Sequence, residues 1–377
     1  MSGPESRDVT IYDVASECGV APSTVSRALS QPGRVSARTS QRVHEVARRL
    51  GYRSAPLARH VPEQRTGTLA MIVSDVGNPV YAPMVRGAEE AAATAGYTLV
   101  LCDVVESAVR ERQLLDQLAP NVDGLVLATS RLSDAAIRMV ARRRPMVTMN
   151  RVTQQVPSIL PDNEHGMCQA VEYLAGLGHR RLIHVAGPAG SWAAATRWRA
   201  LRDAAASAGM RVRRIGPYPP TVAGGQESAA AITEELRPER AASNRRAADR
   251  AGPRPDRATA LVTYNDLQAI GLIQALSRQG VRVPAEVSVV GWDNILGSDW
   301  CVPALTTVAA PLLDLGAAAV RHLLAVTAGR AVPAAPIVLP TRLLVRDSTG
   351  PVSAAPVRLE PVRLGVASSP VMDRAVQ

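Results

Sequence analysis

Thr10-Ile-Tyr-Asp-Val-Ala-Ser-Glu-Cys-Gly-Val-Ala-Pro-Ser-Thr-Val-Ser-Arg-Ala-Leu-Ser30 is the stretch that decides how the chain begins to fold. Thr10 followed three residues later by Asp13 reads as a capping box built with the shorter acid. Ala15 lies four residues before Gly19, and Val25 six residues after it. A small residue lets two helices approach, glycine supplies the positive φ of the turn, and the later valine fills the angle between the helices. Pro22 suits the first turn of a second helix, where a missing N–H costs nothing. The spacing predicts a helix-turn-helix. A third helix follows, with Ser36 at its N-cap, Val43, Val46, Ala47 and Leu50 on one face, and Gly51 just past its end. The competing reading is a three-helix bundle that binds nothing.

The 377 residues suit two or three domains, at roughly 100–200 residues each. A hydrophobic content of 46% excludes wholesale disorder. The net charge of +10, carried on the basic side entirely by Arg, favours a polyanionic partner. Cys18, Cys102, Cys168 and Cys301 lie far apart without a C-x-x-C, so neither a zinc site nor a disulfide framework is expected. The N-terminus lacks an apolar leader and no long apolar run occurs, which predicts a cytoplasmic chain without a membrane partner. The histidines show no metal spacing and no nucleophile or phosphate-loop motif occurs, so the expectation is a non-enzyme with no cofactor and no metal.

Residues 8–53 carry the helical signals, and residues 54–66 read as a polar linker or hinge. Residues 67–349 alternate short apolar runs with helical stretches. The runs are Leu69–Val73, Leu99–Cys102, Gly124–Ala128, Met146–Met149, Leu182–Ala186, Ala260–Thr263 and Val287–Val290. Helical patterns separate the first four, near Met84–Ala95, Ala108–Leu118 and Ser133–Arg142. Strands alternating with helices imply right-handed crossovers and parallel sheets, here in two α/β lobes. Residues 237–257 hold seven Arg and three acids and read as a solvated or partly helical insertion. Residues 350–377 read as a disordered tail.

Polar residues should gather just after the apolar runs, because ligands of open α/β sheets sit at the carboxyl ends of strands. Asp75, Asn78 and Tyr81 follow the first run; Asn150 and Arg151, Asn265 and Asp266, and Asp293 follow later ones. Asn78 and Asn265 read equally as helix caps. Tyr264 and Trp300 read as packing residues.

The words Thr10-Ile-Tyr-Asp-Val-Ala, Gly19-Val20, Thr24-Val25-Ser26-Arg27, Arg34-Val35-Ser36 and Leu50-Gly51-Tyr52 resemble the LacI/GalR family of bacterial transcription regulators, and the resemblance runs through roughly residues 8–349. It implies an α + α/β architecture: a helix-turn-helix three-helix domain, a hinge, and a two-lobed periplasmic-binding-protein-like α/β core. The chain would change lobes near 162 and 295 and return near 330. The second helix would enter the major groove, with Pro22, Ser23 and Arg27 at base edges. Thr10, Tyr12, Ser26, Arg34, Ser36 and Thr39 would hold phosphates beside Thr24, which fixes register. Thr10 and Ser36 can cap helices at the same time.

The sequence departs from the family at Ala21, where many members have Ser, and at Ser30, where many have Asn. Its linker, Tyr52-Arg-Ser-Ala-Pro56-Leu57-Ala58-Arg59-His60-Val61, lacks the usual Tyr-x-Pro-Asn and places Val61 where Leu wedges into the minor groove. The resemblance further implies a small-molecule effector, sugar- or nucleoside-like, bound between the lobes by Arg197, Asn265 and Asp293, with Tyr81, Asn150 and Trp192 around it. Its other partners would be a palindromic double-stranded operator and a second copy, as a homodimer or a tetramer, and its role repression.

Overall fold

The computed structural model describes residues 10–30, 35–50, 65–236, 257–333 and 335–352. The hinge up to residue 64, most of the Arg-rich stretch (237–256) and the tail from residue 353 lie outside the described residues. The chain divides into two units, one before and one after Arg65.

The first unit has three helices: α1 (Ile11–Cys18), α2 (Pro22–Ser30) and α3 (Ala37–Leu50). The Thr10 backbone N–H donates to Asp13 Oδ2 at 2.7 Å, so the short acid does close the N-terminal turn. Gly19 takes φ +62° and ends α1. Val14, Ala15 and Cys18, Val25 and Ala28, and Val43, Val46 and Ala47 meet in one core. Ser36 caps α3, accepting from the Thr39 N–H at 3.3 Å.

The second unit holds two six-stranded sheets. The first runs β2 (Thr98–Asp103), β1 (Thr68–Val73), β3 (Gly124–Ala128), β4 (Met146–Met149), β5 (Ser158–Pro161) and β11 (Ile337–Leu339), all parallel. The second runs β7 (Arg211–Ile215), β6 (Arg181–Val185), β8 (Ala260–Thr263), β9 (Ser288–Asp293), β10 (Thr306–Ala309) and β12 (Arg342–Leu344), with β12 antiparallel to β10. The helices are α4 (Tyr81–Thr94), α5 (Ala108–Leu118), α6 (Asp134–Ala141), α7 (Asn163–Gly176), α8 (Trp192–Ser207), α9 (Val222–Leu236), α10 (Asp266–Arg278) and α11 (Leu312–Thr327). Strand alternation serves two cores at once. Leu69, Met71 and Val73 of β1 face α4 and α11, while Ala70 and Ile72 face α5 and α6. In the second lobe Ile183 and Val185 face α9 and α10, and Leu182 faces α7 and α8.

Five strands lie outside the seven apolar runs. β7 is an edge strand reading Arg-Val-Arg-Arg-Ile, and β11 and β12 are three residues each. β5 and β10 bury hydroxyls, whose partners only the fold supplies: Ser158 Oγ lies 2.9 Å from Thr148 Oγ1, and Thr306 Oγ1 lies 2.8 Å from Thr349 Oγ1. These strands also move the lobe crossings. The chain leaves the first sheet after Pro161. It stays in the second through β10, whose Val308 pairs with Trp292, so the second crossing falls near 310 rather than 295. The third falls between Leu339 and Arg342, near 340 rather than 330, because α11 and β11 both belong to the first lobe. Residues 350–352 are not a loose tail, since the Gly350 N–H donates to Ser288 Oγ and the Val352 N–H to the Leu177 carbonyl.

α4 and α11 cross at two glycines. A Cβ at Gly87 would stand 2.0 Å from the Leu313 carbonyl oxygen, and one at Gly316 would stand 1.8 Å from that of Met84. Gly316→Ala must push the helices apart and should cost about 1–3 kcal/mol of first-lobe stability. Urea unfolding checks it; an unchanged midpoint would mean that the helices slide apart freely.

Candidate functional site

The carboxyl ends of both sheets converge on one cleft. Ser74 follows β1, Glu106 follows β2, Thr129 and Arg131 follow β3, and Asn150 follows β4, with Asn78, Val80 and Tyr81 at the head of α4. Opposite them stand Ala193 and Arg197 of α8, Pro220 after β7, Tyr264 and Asn265 after β8, and Asp293 at the end of β9. The cavity encloses about 400 Å³, yet only about 30 Å³ admits the centre of a water-sized sphere, room for one or two waters. Any larger ligand therefore requires the walls to separate.

Arg197 organises the second-lobe wall. It is 4% exposed, and its guanidinium lies over the rings of Tyr264 at 5.0 Å and Trp292 at 4.7 Å. Nη2 donates to Asp293 Oδ1 at 3.2 Å, Nη1 to the Tyr264 carbonyl at 2.8 Å, and Nε to Asn163 Oδ1 at 3.4 Å. Asn163 begins the helix that follows the first crossing, and the Asp293 carbonyl accepts from Ala310 N–H at the second. One cation thus braces two of the three segments that join the lobes. Burial pushes the Asp293 carboxyl up to about 6, against the pull of Arg197 in the other direction. Asp266 lies behind it, fully buried, and accepts from the Thr307 hydroxyl at 2.6 Å and the Ile295 N–H at 3.0 Å. Burial, with the Asp293 charge adding to it, raises Asp266 to about 8.

The first-lobe wall is a chain of hydroxyls ending in an ion pair. Tyr81 Oη bonds Ser74 Oγ at 2.7 Å and also Thr129 Oγ1; the Ser74 hydroxyl donates to Glu106 Oε1 at 2.8 Å, and Arg131 Nε donates to Glu106 Oε2 at 2.6 Å. Burial pushes the Tyr81 phenol up to about 12, so it stays a neutral donor and acceptor. The loop carrying Thr129 and Arg131 is pinned from behind. Buried Glu111 accepts from the Arg131 N–H at 2.9 Å, and Arg151 donates to the carbonyls of Ser130 and Leu132.

The cleft gathers Tyr81, Asn150, Arg197, Asn265 and Asp293 from the sequence expectations. Trp192, the first residue of α8, is half-buried and not among the wall residues. Asn265 does cap α10, accepting from the Gln268 N–H, and spends its amide on the Pro220 carbonyl. Tyr264 belongs to the wall rather than to packing alone, and Trp300 is 70% exposed instead of packed. Ser74, Glu106, Thr129 and Arg131 were not anticipated, although all follow strand ends as Asn150 does. Arg151 serves the loop, not the cavity.

In the first unit Thr10, Tyr12, Ser23, Arg27 and Ser36 are exposed, and Pro22, Thr24, Ser26 and Thr39 are half-buried. Tyr12, 70% exposed, leaves a phenol ring unburied beside a small core. Arg34 and Val61 lie outside the described residues. Among the described residues no helix is long and apolar enough to cross a membrane, and no group of three His, Cys, Asp or Glu is placed to hold a metal ion.

A family model described as bacterial regulatory proteins, lacI family, matches residues 10–54, and one described as a periplasmic binding protein-like domain matches residues 171–349. The HTH-type transcriptional repressor CytR of Escherichia coli (strain K12) is 31% identical over 90% of this chain and 96% of its own length. The ribose operon repressor of Halalkalibacterium halodurans is 30% identical over 90% and 97%. Among solved structures, the regulator CelR in complex with cellobiose has a TM-score of 0.64 and 29% identity, covering 90% of this chain and 99% of that one. The lac repressor dimer bound to operator and the anti-inducer ONPF has a TM-score of 0.64 and 27% identity, covering 91% and 100%. A helix-turn-helix unit joined to a two-lobed cleft defines a transcription regulator with a DNA-binding and a ligand-binding domain. The chain belongs to the LacI family, whose members are regulators rather than enzymes.

The buried Asp266 carboxyl makes stability pH-dependent. Below pH 4 it is protonated in both folded and unfolded chains. Between about 4 and 8 only the unfolded chain ionises, so this group's contribution falls as pH rises, by a few kcal/mol in all. Asp266→Asn keeps an oxygen for the Ile295 N–H and an amide facing Thr307. It should flatten the decline in a denaturation series from pH 5 to 8; an unaltered slope would assign the decline elsewhere.

Proposed function

We propose that the chain is a repressor that binds a two-fold operator as a homodimer and releases or grips it when a sugar- or nucleoside-like effector closes the cleft. The observation that carries this reading is Arg197: one buried cation touches both the cavity wall and two of the segments at which the chain changes lobes. A ligand that competes for the bonds of Arg197 and Asp293 changes what holds the lobes together, which is the differential contact that a two-state regulator needs. Vicinal hydroxyls suit the donors and acceptors of Arg197, Asp293, Asn150 and Glu106, and the Tyr81 and Tyr264 rings suit a sugar's apolar face. The cellobiose of CelR and the ribose operon of the relative favour the same class.

Two apolar surfaces support dimerisation: Val100 and Leu101 on edge strand β2 with Val105 and Val109, and Leu296, Trp300 and Val302 in the second lobe. In a dimer each α2 meets one half-site, with Pro22, Ser23 and Arg27 toward bases and Thr10, Tyr12, Ser26, Ser36 and Thr39 toward phosphates. Arg34 and the Val61 wedge belong to the same reading, which places the protein with the DNA in the cytoplasm. Selection from random duplexes, with and without a panel of sugars and nucleosides, tests it. A palindrome whose enrichment responds to one ligand class is expected; fragments enriched without symmetry or ligand effect would overturn it.

Arg27→Ala should relax preference at one base pair per half-site, about 1–3 kcal/mol of discrimination. Equal weakening on all sequences would make Arg27 a phosphate contact instead. Arg197→Lys keeps a charge opposite Asp293 but loses the fork that reaches Asn163 and Tyr264 together. The ligand response identified by the selection should weaken roughly tenfold or more while ligand-free operator affinity stays intact. Retained response with an unchanged dose curve would remove Arg197 from the mechanism.

A further inference from the structure

A second concavity lies away from the cleft, between α7 and α8. It encloses about 500 Å³, a volume in the range of ligand pockets. Its floor is Val171, Ala200 and Ala204; the two alanines, one helical turn apart, leave the furrow deep. Its rim carries Glu164 and Glu172 on α7 and Asp203 on α8. Asp203 accepts from neighbouring Arg202 in an exposed contact that binds it only weakly. Arg199 is the rim's one cation.

The described chain ends at Val352, whose N–H donates to the carbonyl of Leu177 just past the end of α7. Twenty-five residues follow, 353–377. They contain Val357-Arg-Leu-Glu-Pro-Val-Arg-Leu364, in which Val-Arg-Leu occurs twice. Pro361 holds Glu360 to extended backbone, so that Val357 and Leu359 share one face, as do Val362 and Leu364. The charges run Arg358, Glu360, Arg363, which complements a rim of acids broken by one arginine. The near end of the furrow, at Glu172, lies five residues back along α7, roughly 8 Å. Residues 353–356, at most about 13 Å when extended, can cross the outer face of the helix to reach it.

We propose that the furrow between α7 and α8 is the docking site for the chain's own residues 357–364, with valine and leucine side chains on its apolar floor and Arg358 and Arg363 at its acidic rim. The occupant is intramolecular, delivered to the furrow by the point at which the chain leaves the second lobe. It straps the two helices that flank the first crossing.

Cys168, exposed on α7 and lining the furrow, reports on occupancy. Burial and the Glu172, Glu164 and Asp162 carboxylates push its thiol up, equally in all variants at one pH. Full-length chain is alkylated with iodoacetamide and the Cys168 peptide quantified by mass spectrometry. One variant carries Val357→Ser, Leu359→Ser, Val362→Ser and Leu364→Ser; a second carries Arg358→Glu and Arg363→Glu. Cys168 should react roughly tenfold faster in the first and measurably faster in the second, the ratio reading the docked population directly. A synthetic peptide of residues 353–366 should restore protection to the first variant. Equal rates in all three chains would overturn the proposal. Protection that grows with protein concentration would overturn it too, by assigning the furrow to the tail of a second copy.

Discussion

A guanidinium withdrawn from water must find partners for its charge and its N–H groups, and Arg197 can do so only where the lobes join. Its carboxylate partner ends β9, its amide partner opens α7, and its carbonyl partner lies between β8 and α10. Two aromatic rings close over it and exclude water, which strengthens every bond it makes. Removing any member leaves a buried charge exposed to its neighbours. The cleft wall and the hinge therefore cannot be altered independently of each other.

The opposite wall meets the same requirement with backbone geometry. Glu106, Thr129, Asn150 and Asp293 all line the cavity with positive φ, and Thr129, β-branched, stands at +62°. Such positions cost of order 1–3 kcal/mol each and persist only when neighbours fix them. For Thr129 those neighbours are Tyr81 and Ser74, and behind its loop stand Glu111 and Arg151. The polar groups facing the cavity are thus held in place before any ligand meets them.

The architecture was legible because periodicity carries it: glycine spacing gave the first unit, and seven apolar runs gave the sheet centres. What periodicity does not carry was missed. β5 and β10 hide hydroxyls in a core, and nothing local says that Thr306 and Ser158 will find partners there. The exchange of roles between Tyr264 and Trp300 has a similar origin. Tyr264 lies against Gly187, where a Cβ would stand 2.4 Å from its ring, a distant contact no local pattern encodes. Glu106 and Arg131 obey the strand-end rule that found Asn150, yet sit three residues past their strands, beyond where the polar residues were sought.

Because the chain changes lobes three times, neither lobe is a continuous stretch of sequence. Leu312, Leu315, Ala319, Val320 and Leu323 complete the core of the first lobe, and β12 completes the second sheet, although both are among the last segments to be made. A chain emerging from the ribosome N-terminus first displays its helix-turn-helix early, at a time when the first sheet still lacks the helix that covers one of its faces. No nascent fragment can therefore offer a finished cleft, and ligand control arrives only with the closing residues of synthesis.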